Sequence, residues 1–559
     1  MKQRTDMTSS QTLAGQTSPV HVAHKRVMPG HAALALGICS TVLYLVSAVV
    51  SFAYSYDQGA GREKLTLMLI GLLLPLLLAV VVRNRIETVI GMLGVLLGVV
   101  APLIGVAALT IPGVDKGAAA GNLAVLVPLA GCGIVWALTR NYLPLLAVLG
   151  VCLATAAGVI FVSGEYAAML GIVVGLVLGF GYFWRQRVAA PSRWLRVIDF
   201  AVLFLVFLAL TVYLLLILAP ERTGQIGRML PDFYAQRFAA WHDAPAIVRD
   251  YLYTGSGLGA SAMVLSSYLF LVHVPYFYHV HNLFLQVGIE QGLPGMIGLL
   301  GMFVAAIWSM SIAIRRAHAY VALCAASVLA SLLALFVSGL FESDVYAGRW
   351  VVIMYLSFGF AWVIAQYDVS GRATRRGVPN RPQFTDWMIG SIPLLLVVGL
   401  FLLPGAGAQW SANQGALAQT KAELSGFRFP LTLIQDEIRR DPHTKLDASL
   451  ALYRAALAAD PNNVTALRRL AQIELSQGDI DNALQNLERA YYTAPGERAT
   501  RQMLGEAYAV KGRLDEATAL WSSIGVAKDL LKTRLWWYEH LGDTQSASNI
   551  RAVLDRLGM

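Results

Sequence analysis

Charge is scarce in this chain. Asp, Glu, Lys and Arg make up 14% of its 559 residues, against 57% hydrophobic, which excludes a soluble surface over most of its length. Cysteine is equally sparse: Cys39, Cys132, Cys152 and Cys324 are the whole supply, and all four fall inside apolar runs. That placement excludes a disulfide framework and a thiolate metal site, and the four read as small packing residues. No pair of carboxylates stands at a spacing that suggests a hydrolase. The glycines of "TGSGLGA" (Gly255, Gly257 and Gly259) follow no strand-like run, so a dinucleotide site is excluded as well. The net charge of +9 calls for no nucleic acid, because basic loop residues and their contacts with anionic headgroups account for much of it.

What the chain has in abundance is long apolar runs. Stretches long enough to cross a bilayer core are expected near 32–55, 65–82, 88–112, 120–138, 142–164, 166–184, 197–220, 283–313, 318–341, 350–367 and 387–405, eleven in all. Short connections on one side hold seventeen Lys and Arg, whereas those on the other hold only Arg62, Lys64, Lys116 and Arg349. Basic residues are retained in the cytoplasm, so the tail 1–31 is expected there, followed by an anchor rather than a removable leader. The membrane region then covers 32–405. An odd number of spans places the long loop 221–282 and everything after residue 405 on the opposite, periplasmic face. Membrane lipids are the first implied partner.

Beyond a linker at 406–439, the last segment, 440–559, is soluble in composition and repeats itself. Pro461 and Pro495, Leu470 and Leu504, Gly478 and Gly512, and Ala483 and Ala517 are each 34 residues apart, with Ala490, Tyr508 and Trp521 at small or bulky positions. Tyr453 and Ala456 on one side, and Tyr538, Gly542 and Ala547 on the other, suggest partial flanking units. The period resembles the tetratricopeptide repeat, a helix pair closed by proline. The expected fold class is therefore all-α: a polytopic helical membrane protein with a soluble α-helical repeat domain. The repeats are either a helical spacer or a concave surface for a protein partner or substrate chain.

The long loop carries Arg222, Arg228, Arg237 and Arg249 against Glu221, Asp232, Asp243 and Asp250, a balance usual for a solvated amphipathic surface. Two details go further. "RFAAW" sets Arg237 and Trp241 four apart on one helix face, and the glycine run lets backbone approach something closely.

At the end of this loop, His281 and Asn282 are followed after nine residues by Gly292 and after two more by Gly295. This pattern resembles the signature of the O-antigen ligase and O-antigen polymerase superfamily, which includes O-linked oligosaccharyltransferases. The "RFAAW" and "TGSGLGA" stretches are similar to that family's loop. The resemblance implies metal-independent glycosyl transfer, with inversion, from a polyprenyl-diphosphate-linked glycan to a hydroxyl on a glycan, lipid or protein acceptor. A sugar hydroxyl needs a base near neutral pKa, and His281 suits that task. A leaving diphosphate needs fixed guanidinium groups. Arg237 is the first candidate, and Arg222, Arg228, Arg249 and Arg349 are further ones. Trp241, Asn282, Glu290, Gly292 and Gly295 complete the expected substrate-binding set, with Glu290 either orienting the histidine or sitting in the spacer. Relatives carry another arginine at the outer end of an earlier span, where this chain has Glu165.

His279 and His281 offer two metal ligands with no nearby carboxylate or cysteine pattern, short of a closed site. No metal and no cofactor is expected. The leading expectation is thus a glycan polymerase or ligase. Two alternatives stand beside it: transfer to a protein hydroxyl with the repeats docking the acceptor, and a transporter or assembly scaffold. A transporter should concentrate ionisable groups at the bilayer midplane, whereas the conspicuous polar groups lie in the loop and at its edge.

Overall fold

The computed structural model describes residues 29–81, 86–112, 115–187, 232–269, 272–273, 279–346, 350–376, 383–427, 433–525 and 527–559. Among them, seven helices are long and apolar enough to cross a membrane: Gly30–Tyr54, Glu87–Thr110, Lys116–Thr139, Leu143–Ser163, Tyr166–Arg187, Leu283–Arg316 and Ala319–Phe341. Phe384–Gly390 and Ile392–Leu402, bent by 52°, make an eighth if the pair is one span. This is a multi-pass membrane protein, but eleven spans are not established. The expected span at 65–82 is part of the helix Gln58–Val81, which is not among the seven. The one at 350–367 is a shorter apolar helix, Val351–Tyr367, and the one at 197–220 lies outside the described residues.

Small residues let these helices approach closely. Gly171, Gly175 and Gly179 recur every four residues on one face of Tyr166–Arg187 and lie against the backbone of Ala319–Phe341, where a Cβ on Gly171 would come 2.6 Å from the Ala334 carbonyl. In lipid, where no hydrophobic force drives helix to helix, such stripes permit the van der Waals contact that does. Large side chains such as Leu143, Phe161, Val162 and Leu402 point outward and are exposed, as a lipid-facing surface requires.

Leu283–Arg316 and Ala319–Phe341 are consecutive, antiparallel and packed together. Residues 279–282 and 342–346 therefore meet at the same end of this hairpin, a geometry on which the candidate site depends.

The stretch expected as a linker is folded. Ala406–Leu424 packs on Asp447–Ala459, with Gly415 against the Tyr453 ring and the Tyr453 hydroxyl donating to Gln419 Oε1 at 2.7 Å. The repeat units follow as helix pairs: Val464–Gln477 with Ile480–Thr493, Arg498–Val510 with Leu514–Trp521, and Ala527–His540 with Thr544–Arg556. Gly478 and Gly512, one period apart, take φ of 88° and 77°. That left-handed turn closes each first helix and costs glycine nothing.

The repeats hold a partner, and it belongs to the same chain. Helices Asp232–Asp250 and Ser261–Leu269 of the long loop lie against the first helices of the repeat pairs through buried ion pairs. Asp250 is fully buried, ion-paired to Arg468 and, at 2.9 Å, to Arg469, and it accepts from Thr465 Oγ1 at 2.9 Å. Asp243 meets Arg498 at 2.8 Å. Glu497 takes Arg249 at 3.0 Å, Arg468 at 2.9 Å and the Tyr268 hydroxyl at 3.0 Å. A two-residue antiparallel ribbon, Val272–His273 on Leu433–Ile434, adds a backbone tie. Asp243, Arg249 and Asp250 of the loop are thus interface residues, not part of a solvated surface.

One pH dependence follows. Burial raises the Asp250 carboxyl, but Arg468 and Arg469 outweigh that and bring it down to about 2. A carboxylate with a depressed folded pKa contributes stability that is present above its unfolded value and lost as pH falls through the folded one. Between about pH 4 and pH 2 the loop and repeats should therefore lose on the order of 2 kcal/mol of mutual stability. Hydrogen exchange on Val464–Gln477 should rise over that window in wild type and not in Asp250→Asn. Equal acid sensitivity in both would show that other groups govern it.

Candidate active site

The motif helix Leu283–Arg316 begins with Asn282 as its N-cap. The Asn282 side chain accepts from the Leu285 N–H at 3.0 Å and its Nδ2 donates to the Leu340 carbonyl at 3.2 Å. One residue therefore caps the helix and ties it to the returning helix. Expected as a substrate contact, Asn282 is an organiser of the site.

The same helix breaks at Gly292, where φ is 70° and ψ is −173°. In a continuous helix, Leu293 N–H would bond the Ile289 carbonyl. Here it donates to the Leu252 carbonyl at 2.8 Å, and Pro294 has no N–H to offer Glu290. The orphaned carbonyls find other donors, Ile289 from Ser256 N–H at 2.8 Å and Glu290 from the Ser51 hydroxyl, as buried backbone in a membrane demands. The turn after the loop helix thus docks into the break. Neither backbone has room for a side chain: a Cβ on Gly292 would lie 2.7 Å from the Leu252 carbonyl, and one on Gly255 would fall on the Glu290 carbonyl. The glycine run approaches the motif helix itself. Gly295 is close-packed against Gln291 and Ser47.

Glu290, one of the alternatives for orienting the histidine, does not contact it. Its side chain is buried and takes Lys64 at 2.7 Å, Ser261 Oγ at 2.8 Å, Gly259 N–H at 3.2 Å and the Tyr346 hydroxyl at 3.2 Å. Four donors from three distant segments make it a cross-link between loop and bundle.

The residue that meets His281 is Glu342. His281 Nδ1 lies 2.6 Å from Oε1 and 3.0 Å from Oε2 of this carboxylate. A carboxylate accepts, so the Nδ1 carries the proton and Nε2 is left as the basic nitrogen. The imidazole is 31% exposed and Glu342 9%, an arrangement in which a substrate reaches the ring and water scarcely reaches its partner. His281 itself adopts φ of 53°, a left-handed conformation uncommon outside glycine. The Trp241 indole N–H donates to the His281 carbonyl at 3.1 Å, and its ring rests on Phe341. Trp241 therefore fixes the strained backbone while Glu342 fixes the ring.

Arg237 belongs to the same loop helix, Asp232–Asp250, four residues before Trp241. Arg249 is engaged at the repeat interface by Glu497. Arg222, Arg228 and Arg349 lie outside the described residues.

Sequence proximity gave the two histidines no carboxylates, and the fold corrects that. Asp115, His279 and Asp344 form one group whose ligand atoms lie within 4.8 Å of one another, and His281, Glu342 and Asp344 form a second. Either could hold a metal ion. Burial pushes the His279 imidazole down to about 4, although Asp115 opposes it. Glu165 lines the same cavity as Glu342 and Asp344.

Residues 151–300 match the model of the family described as O-Antigen ligase, and residues 443–498 match a tetratricopeptide-repeat model. The match supports a membrane glycosyltransferase of the ligase or polymerase type. No curated protein and no solved structure matches the chain. The matched stretch includes Arg237, Trp241, the glycine run and the His281 motif, but it ends before Glu342. Sequence reasoning missed Glu342 although a signal was there: it is the first charged residue after the apolar run that returns from the motif helix.

Proposed function

We propose that the protein transfers a glycan from a polyprenyl-diphosphate donor to an acceptor hydroxyl, with His281 as general base. The observation that carries this reading is the His281 ring, oriented through Nδ1 by Glu342 and left with a basic Nε2 at a partly open position. In the step, the acceptor oxygen attacks the anomeric carbon, the bond to the diphosphate oxygen breaks, and the hydroxyl proton passes to Nε2. Inversion follows from a single in-line displacement. Glu342 stabilises the imidazolium that forms. Arg237 is our candidate for holding the leaving diphosphate, whose charge a planar guanidinium binds without a metal.

The protein is assigned to a bacterial inner membrane, with its N-terminus cytoplasmic and the loop and repeats periplasmic. The packing of loop on repeats supports their common side, since both must lie in one compartment to share buried ion pairs. That packing also weighs against a protein acceptor docked on the first helices of the repeats, which the loop already covers.

The test is release of polyprenyl diphosphate from a polyprenyl-diphosphate-linked oligosaccharide by the purified full chain, with product masses identified across glycan, lipid and protein acceptors. Release should survive EDTA. Glu342→Gln should lower kcat by roughly 10- to 100-fold with the donor KM little changed. Loss of activity in EDTA, restored by a divalent ion, would instead place an ion at Asp115, His279 and Asp344.

A further inference from the structure

We propose that the repeat domain is a clamp on the loop segment that orients His281, with Arg468 and the Asp243–Arg498 pair as its positioning contacts. The inference rests on the functional reading above, because what the clamp positions is the base.

The loop helix Asp232–Asp250 ends in a carboxylate, Asp250, at the helix terminus where a negative charge is disfavoured. Its burial is tolerable only with strong countercharge, which Arg468 and Arg469 supply from one repeat helix while Thr465 of that helix adds a hydrogen bond. Arg468 also reaches Glu497 at 2.9 Å and lies over the Tyr268 ring, so both loop helices are gripped by one guanidinium. Asp243, held by Arg498, is two residues from Trp241, whose indole fixes the His281 carbonyl. On its other side, Asp250 leads directly into the turn that docks in the Gly292 break. The two attachments of the loop to the motif helix thus flank the segment that the repeats hold.

Buried ion pairs are a poor source of stability, since apolar residues of the same volume serve as well or better, but planar guanidinium forks fix direction. An interface built from them suits a part whose angle matters. A displacement of about 1 Å at a reacting group can cost up to about a hundredfold in rate.

The test is a mutant cycle in the full chain, read as polyprenyl diphosphate release. Arg468→Met, Asp243→Asn and Trp241→Phe should each lower kcat about tenfold while the donor KM stays unchanged. Arg468→Met combined with Trp241→Phe should lose about tenfold, not about a hundredfold, because both act by the same displacement of His281. Asp243→Asn, isosteric with the native side chain, carries the same cycle should Arg468→Met fail to fold. Wild-type kcat in the folded variants overturns the clamp, and so do losses that multiply. An inactive His281→Ala beside full-rate Arg468→Met and Asp243→Asn sinks the clamp alone. Full activity in His281→Ala sinks the assignment of the base, and the clamp with it.

Discussion

His281→Ala is expected to lower glycan transfer by about a thousandfold, within the range that a positioned general base contributes, while the protein still inserts and melts as a folded unit. Among the described residues the ring's polar partner is Glu342, and the backbone carbonyl that Trp241 holds survives the substitution. His281→Gly should be equally inactive yet more stable than His281→Ala by about 1 kcal/mol, because only glycine adopts φ of 53° without strain. The pair separates chemistry from folding. Retained transfer in either variant would remove the imidazole from the mechanism, and equal melting temperatures would remove the strain.

The largest expected effect on stability comes from Lys64→Met. The ammonium sits 2.7 Å from Glu290, with side-chain exposures of 8% and 2%, and over the Tyr346 ring at 3.6 Å. Removing it leaves a buried carboxylate with hydrogen-bond donors but no countercharge, which costs about 3–5 kcal/mol. Thermal unfolding in detergent should show a marked drop for Lys64→Met and a partial recovery when Glu290→Gln is added, since the second change removes the stranded charge. A double variant no more stable than Lys64→Met would locate the damage in lost packing around Tyr346 instead.

Local and periodic features were legible in the sequence. The 34-residue spacing paired Gly478 with Gly512, and the two take the same left-handed turn. Histidine, asparagine and two glycines marked the start of a helix and a close approach within it, and Asn282 and Gly292 occupy those roles. What stayed hidden were partners set by folding. Lys64 read as a loop charge, and Glu290 as either an orienter of the histidine or a spacer residue, although 226 positions apart they form one buried pair. Glu342 stands 61 residues after His281 and becomes its neighbour because two helices turn back on each other. Asp243, Arg249 and Asp250 looked solvated because their countercharges lie in a segment more than two hundred residues later. Asp115 and Asp344, invisible as companions of His279, reach it only across the bundle.

The break at Gly292 also bears on how the protein is made. Leu283–Gln291 has too few residues to span a bilayer, and two of its carbonyls take their hydrogen bonds from Ser256 and Ser51. Until the turn at Ser256 and the helix bearing Ser51 are both in place to supply them, that stretch would carry naked peptide groups into hydrocarbon. The motif helix is therefore expected to settle late, once both donors have been delivered to its break.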